Sequence, residues 1–494
     1  MTRHDGIIGG GLLEKQEEQP WTAQSVIRWW LMLIRPSIMT RAGPRKQVGR
    51  TAYLDGLRGI AAFLVYWHHH QLWPRQEYAA DLIFENSFGF EDRYYFACLP
   101  FIRTFFTGGH FAVSIFFVIS GYVLSAKPLA LIYAGDFPKL MDNLSSAMFR
   151  RWIRLNIPVL AVTFCFMLSW HLFGIYTVSP EQKPTFREEL WNFYREFKNY
   201  SFAFRDGGDP WFTYNFPTWS IPVEFRGSLV VYTCLLAFAK ATRNARLICQ
   251  GGLMLYFIYI ADGWWASLFI AGMTLCELDL LAKNNNLPRF IAQFKPWKTP
   301  IFYTLFIAGI LLGGVPSHSP NFKLIQAPGW YYLSFLKPQA MYDYKWFYLI
   351  FAAIFVVSSI PNIKWLKAFF ETRFLQYLGH ISFALYLVHG PVLWTLGDRL
   401  YVATGYHRPA HEMHMAGWIN AFPLSRNGVF GMELAFLAPH LILVPLTFWL
   451  AEIITKVIDE PTVKFAQQAY RRILAPPAPT IPAIHLQDVP RAAL

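Results

Sequence analysis

Tyr53–Trp73, YLDGLRGIAAFLVYWHHHQLW, is an apolar segment of bilayer length with an Asp and an Arg near its start and three histidines near its end. Ionisable side chains inside such a segment are costly and usually face a bundle interior or a water-filled cavity, so they mark a site. On a helix turning about 100° and rising about 1.5 Å per residue, Arg58 and His69 fall within about 20° of one another and about 16 Å apart along the axis. Asp55 joins that face. His68 and His70 point about 100° to either side, so His69 is the histidine aligned with the arginine and the one expected to do chemistry.

The chain around this segment has 494 residues, of which 54% are hydrophobic, 18% aromatic and only 15% charged. That balance is too apolar for an ordinary soluble enzyme. Runs near the length needed to cross a bilayer recur at 54–73, 108–126, 152–175, 218–239, 246–262, 264–281, 300–315, 345–360, 374–396 and 430–458. The expectation is an all-α polytopic membrane protein with about ten transmembrane helices, 300–315 being short enough to suit a re-entrant segment instead. The net charge of +13 is spread over loops rather than gathered on one soluble domain, which argues against a nucleic-acid partner. Positive-inside topology accounts for it better. Arg41, Arg45, Lys46 and Arg50, then Arg150, Arg151 and Arg154, Arg243 and Arg246, and finally Lys464, Arg471 and Arg472 fall on one side. Both termini are then cytoplasmic in an endomembrane or the plasma membrane, with the basic loop 176–217 as the exception. Cys98, Cys165, Cys234, Cys249 and Cys276 contain no CxxC pair and indicate neither a disulfide framework nor a zinc site. The polar opening of the chain contains no cleavable signal peptide. A cytoplasmic segment occupies 1–50, with an interfacial helix over 21–39. The membrane domain runs over 51–470, and 471–494 reads as a disordered cytoplasmic tail.

Further ionisable groups enter the later runs. The second, GGHFAVSIFFVISGYVLSAK, sets Ser114, Ser120 and Gly121 into apolar text, where small residues allow close helix approach. RRWIRLNIP brings Arg150, Arg151 and Arg154 to the start of the third run, where three guanidinium groups can clamp phosphate. A polar, aromatic loop over 180–217 ends in PTWSIPVEFRGS, in which Trp219 suits an interface and Glu224 enters the membrane, needing a partner. The ninth run holds GHISFALYLVHGPVL, with His380, Ser382, Tyr386 and His389, the last near the depth of His69. Glu277 and Asp279 sit at a cytoplasmic helix end and are expected to be solvated. His407, His411 and His414 invite a metal, but Pro409 interrupts the helix that such spacing requires and no HExxH pattern is present. Two glycosylation sequons, at Asn143 and Asn199, stand in loops that the charge count places on opposite sides, so Asn199 is the modifiable one.

DGLRGIAA with its in-helix histidine, FFVISGYVLS, the tryptophan–serine–glutamate arrangement around Glu224, GHISFALYLVHG and the closing Asp459, Glu460 and Pro461 together resemble the acyltransferase 3 family of membrane acyltransferases. Bacterial members place a second acidic residue where this chain has Phe225, and PVEFRGS is more similar to fungal members. The resemblance implies transfer of an acyl group, commonly acetyl, from cytoplasmic acyl-CoA to a hydroxyl of a carbohydrate or lipophilic small molecule. It implies acyl-CoA as a cosubstrate and no permanently bound cofactor. His69 and Glu224 become the catalytic candidates. Arg58, Arg151 and Arg154 are placed with the CoA phosphates, and Asp55, Ser120, Trp219, Tyr386 and His389 join them as candidates for binding substrate or CoA. Direct transfer and an acyl-enzyme intermediate remain alternatives. A secondary transporter or exporter is the competing reading, because buried Arg, His and Glu also build relays and substrate pathways.

Overall fold

The computed structural model describes residues 33–36, 49–78, 80–86, 88–204, 211–317 and 324–474. Of the interfacial helix expected over 21–39 only 33–36 fall within these, and the tail beyond 474 lies outside them. Helix dominates; the strands are the two-residue pair Gly89–Phe90 and Arg93–Tyr94. Every one of the ten apolar runs folds as helix. In chain order the principal helices are α1 (Ala52–Leu72), α2 (Gly109–Ala134), α3 (Phe137–Phe173), α4 (Phe186–Tyr200), α5 (Ser220–Ala237), α6 (Arg243–Tyr259), α7 (Trp264–Lys283), α8 (Lys298–Gly313), α9 (Lys345–Ser359), α10 (Arg373–Val392), α11 (His440–Ile454) and α12 (Glu460–Ile473). Six helical stretches among the described residues are long and apolar enough to cross a membrane: Gly109–Ala134, Phe137–Phe173, Thr213–Ala237, Trp264–Lys283, Lys345–Asn362 and Leu434–Ile473. α6 and α8 are shorter, at 17 and 16 residues, and α1 and α10 are diluted by the ionisable residues that made them notable.

α1 runs through the interior, packed on α2 and α10. Its contact with α10 is backbone to backbone. A Cβ on Gly59 would lie 2.6 Å from the Gly379 nitrogen, and one on Gly379 would lie 2.2 Å from the Asp55 carbonyl oxygen. Where lipid gives helices no hydrophobic reason to associate, small residues supply the close packing that holds them. The same device joins α2 to α7, where a Cβ on Gly121 would come within 2.0 Å of the Phe269 carbonyl oxygen. Gly121 therefore performs the packing role its sequence context suggested.

At the end of the bundle carrying Arg50, the expectation of solvated acids fails for Glu277. It is fully buried and accepts from Arg246 Nε at 2.7 Å, Gln250 Nε2 at 2.6 Å and the Tyr133 hydroxyl at 2.6 Å. The period of α7 turns it inward, and α6 presents the guanidinium that makes its burial tolerable. Asp279 remains partly exposed, paired with Arg50 at 2.6 Å and Tyr122 at 2.7 Å.

The other end is closed by the segment between α10 and α11. Buried Arg75 pairs with Glu433 and lies over the Phe436 ring at 4.1 Å. Asp398 accepts from Trp73 Nε1 at 2.7 Å, Arg408 Nη2 at 3.1 Å and His411 Nε2 at 3.1 Å. His411 is thus committed to a carboxylate, and His414 stacks on Tyr176 with centroids 4.0 Å apart.

The stretch read as a loop over 180–217 contains α4. Thr185 caps it by accepting from the Glu188 amide, and Thr-x-x-Glu is the order of a capping box. The helix folds back along α3. Trp152 Nε1 donates to the Ser201 carbonyl at 3.1 Å and Arg226 Nε to the Ala203 carbonyl at 2.8 Å. The sequon at Asn199, exposed on the last turn, therefore stands beside the part of α3 that carries Arg151, not at the far edge of the molecule.

Two substitutions report on this packing. Glu277→Ala leaves Arg246 buried without its partner and should cost about 3–5 kcal/mol, seen as a lower thermal midpoint in detergent, with Glu277→Gln milder. Gly59→Ala should separate α1 from α10 and lower both folded yield and turnover; an unchanged midpoint and turnover would show that the crossing tolerates a methyl.

Candidate active site

The phase of α1 sends its three histidines to three places. His70 is buried with its ring on Tyr66, centroids 4.1 Å apart, and its Nδ1 2.7 Å from the Tyr401 hydroxyl, which also reaches His440. His68 turns toward His110, centroids 5.9 Å apart. His69, half-buried, lies between them and faces His389 of α10 at 5.1 Å between centroids.

The orientation of His69 fixes its chemistry. Its Nδ1 is 2.8 Å from the Val65 carbonyl oxygen. A carbonyl can only accept, so Nδ1 carries the proton in the neutral ring and Nε2 presents a lone pair. His389 is built alike: its Nδ1 lies 3.3 Å from the Leu385 carbonyl oxygen, and its buried Nε2 has no hydrogen-bond partner. Two imidazoles, each pinned by the preceding helical turn, thus leave their second nitrogens uncommitted at one level of the bundle.

About 16 Å down α1 by helical rise, the guanidinium groups gather. Arg151 Nη2 donates to Glu224 Oε1 and its Nε to Ser228 Oγ at 2.8 Å, while Ser120 Oγ donates to the same Glu224 oxygen at 2.5 Å. Arg58 is near enough to act electrostatically on Glu224, Asp55 and Asp459, and lies 3.7 Å from Asp55. Arg154 is similarly close to Asp459, Arg151 and Arg58. Helices α1, α3 and α5 and the turn before α12 therefore build one cluster of three arginines and three carboxylates. Glu224 belongs to this cluster, held by Ser120 and Arg151. No hydrogen bond joins it to His69 among the described residues.

Tyr386 and Trp219 lie toward the His69 end. The Tyr386 hydroxyl donates to the Pro217 carbonyl and stands 2.8 Å from Ser220 Oγ; Asn215 Nδ2 donates to the Leu387 carbonyl at 2.9 Å. These bonds tie the turn Thr213–Trp219 to α10 and so fix where α5 begins. Trp219 then faces His110 at 6.5 Å. Reading by motif did not single out His110, Trp264 or Trp346, which surround it. Each stands in the first residues of its helix, where aromatic groups read as ordinary interface anchors.

Residues 51–451 match the family model described as an acyltransferase domain. The chain is similar to the O-acetyltransferase PaAT-1 of Phomopsis amygdali, 34% identical over 401 residues that cover 75% of this chain and 78% of that protein. It is also similar to acyltransferase R4 of a Phoma species, 25% identical over 404 residues covering 71% and 84%, and to acyltransferase clz18 of Cochliobolus lunatus, 22% identical over 411 residues covering 73% and 86%. No solved structure matches. The exporter reading gains no support from these relatives. With its apolar helices, its in-helix arginine and histidine and this match over most of its length, the chain belongs to the acyltransferase 3 family of membrane acyltransferases.

Proposed function

We propose that this acyltransferase moves an acetyl group from acyl-CoA to a hydroxyl of a small molecule, with His69 as general base. The observation that carries the reading is His69 itself: its Nδ1 is tied to the Val65 carbonyl, its Nε2 is left as a base, and it shares a helix face with Arg58. In this reaction His69 Nε2 takes the acceptor hydroxyl proton as the oxygen bonds to the thioester carbonyl carbon. The carbon–sulfur bond breaks on collapse of the adduct, and the proton passes from the imidazolium to the departing thiolate. Imidazole suits both transfers because one ring nitrogen can accept a proton and release it again while the other stays bonded to the Val65 carbonyl. Arg58 and Arg154, with Arg151, receive the CoA phosphates, and the acyl arm lies along α1 toward His69. Glu224 holds Arg151 in place for that contact, and Tyr386 and His389 shape the acceptor end. The choice of an acetyl group and of a hydroxyl oxygen to receive it follows the similarity to the O-acetyltransferase PaAT-1.

We also propose ten spans with both termini cytoplasmic, which brings the arginine cluster toward the cytoplasmic supply of acyl-CoA and the segment between α10 and α11 to the opposite face.

His69→Ala should abolish transfer from labelled acetyl-CoA by folded protein in detergent, with His68→Ala and His70→Ala retaining a measurable share; full activity in His69→Ala would remove the mechanism. Arg58→Ala or Arg154→Ala should raise the donor KM about tenfold, roughly 1.4 kcal/mol. Arg-to-Lys changes should be only partly tolerated because bidentate geometry is lost. A raised acceptor KM with an unchanged donor KM would assign the cluster to the other ligand. For topology, Phe422→Thr creates a sequon at exposed Asn420 in the segment between α10 and α11. Expressed in yeast, that variant should gain a glycan while Asn143 stays bare; a glycan on Asn143 inverts the arrangement.

A further inference from the structure

A second cluster stands beside His69 and plays no part in the proton transfer. α2, α7 and α9 begin with His110, Trp264 and Trp346 in their first residues, and Trp219 immediately precedes α5. These four helix starts meet at the level of His68. Trp264 and Trp346 lie face to face, centroids 3.5 Å apart and planes 9° from parallel. Trp219 closes on both at a steep angle, 6.1 Å from Trp346 at 68° and 6.5 Å from Trp264 at 59°. His110 stands edge-on to Trp346, 5.6 Å away at 88°. His68 continues the wall from His110 to His69, at 5.9 Å and 5.4 Å. The result is an aromatic corner that ends at the proposed base.

Two observations suggest that this corner receives a ligand as well as packing the bundle. Trp346 is buried, yet Trp219, Trp264, His110, His68 and His69 each keep part of their surface accessible, while Phe117, Phe269 and Ala266 beside them are buried. In addition, His68 Nδ1 is buried without a hydrogen-bond partner, and a buried polar atom in that state is costly unless something meets it. The charge nearest the wall is already spoken for, because the Lys345 ammonium lies 2.8 Å from Asp343.

The chemistry of the wall selects among acceptors. It offers a stacked indole pair with Trp219 and His110 inclined to it at 59–88°, and the hydrogen-bonding groups of these side chains are the imidazole and indole nitrogens. A sugar ring carries a hydroxyl at nearly every carbon and needs a matching set of donors and acceptors, since each polar group buried without one is penalised. A fused hydrocarbon ring system needs flat apolar faces and one or two polar contacts.

We propose that Trp219, Trp264, Trp346, His110 and His68 form the acceptor subsite, and that it takes a fused, largely apolar ring system bearing a hydroxyl directed toward His69, not a carbohydrate. This assignment rests on the acyl-transfer reading for the word acceptor, but the binding site can be tested apart from any reaction.

The probe is 4-hydroxybenzophenone, a largely apolar two-ring phenol that inserts into nearby C–H bonds on irradiation, applied to the full chain in detergent. Label mapped by mass spectrometry should fall on the peptides carrying Trp219, Trp264 or Trp346. Excess 9-phenanthrol should reduce it at least tenfold, and methyl β-glucoside should leave it unchanged. Trp219→Ala and Trp264→Ala should each lower the phenanthrol-sensitive label about tenfold, Trp264→Phe should restore it, and His69→Ala should retain it while losing transfer. Label on other helices, displacement by the glucoside but not by phenanthrol, or undiminished label in both alanine variants would overturn the proposal. If either alanine variant fails to fold, the map and competition on the unmodified chain decide alone. Site-directed label in a protein that transfers no acetyl group would remove the acyl-transfer reading and leave the binding site standing.

Discussion

The backbone contact between α1 and α10 is the constraint on which the rest depends. Gly59 and Gly379 leave no room for a side chain between the helices, so their axes lie as close as backbone allows and their relative register is fixed. That contact faces His69 with His389 at 5.1 Å. It also aims Arg58 at α3 and α5 rather than at lipid. A hydrophobic interface could not set these positions so firmly, because lipid tails solvate leucine as well as another helix does.

The site has two ends of different chemistry on one helix. At one end charge is concentrated and mutually neutralised, with arginines held by carboxylates from three helices. At the other, imidazole and indole rings dominate, and the nearby Lys345 ammonium is paired with Asp343. Buried ion pairs depend on each partner being present, whereas the aromatic end depends on shape. The two ends should therefore respond differently to substitution, with losses at the first spread over its network and losses at the second confined to the ring removed.

Much of this was legible in the sequence because it rests on local periodicity. The helical phase of DGLRGIAAFLVYWHHH separates the three histidines as the structure does, and small residues in FFVISGYVLS fall at a helix crossing. The burial of Glu277 is not legible in α7 alone, because its partner, Arg246, comes from a neighbouring helix and no pattern within α7 announces it. The return of α4 along α3 was hidden for the same reason: the bonds from Trp152 and Arg226 join residues far apart in sequence. The Thr-x-x-Glu order at Thr185 and Glu188, where Thr185 caps α4, is readable in the sequence. Trp264 and Trp346 became informative only when four helix starts were seen to converge, since each tryptophan alone looks like an anchor at the lipid headgroups.

Three successive histidines at the end of α1 give the chain an unusual relation between register and identity. A slip of α1 by one residue turns it by about 100°, and at almost any other position that would replace a polar group with an apolar one. Here it would exchange one imidazole for another, so composition alone does not guard the site against misalignment. The surroundings do that work instead: a tyrosine hydroxyl awaits His70 and a ring edge awaits His68, so only one threading of the helix satisfies all three neighbours. The triplet behaves as a key with three teeth, in which the outer two make the middle one unambiguous.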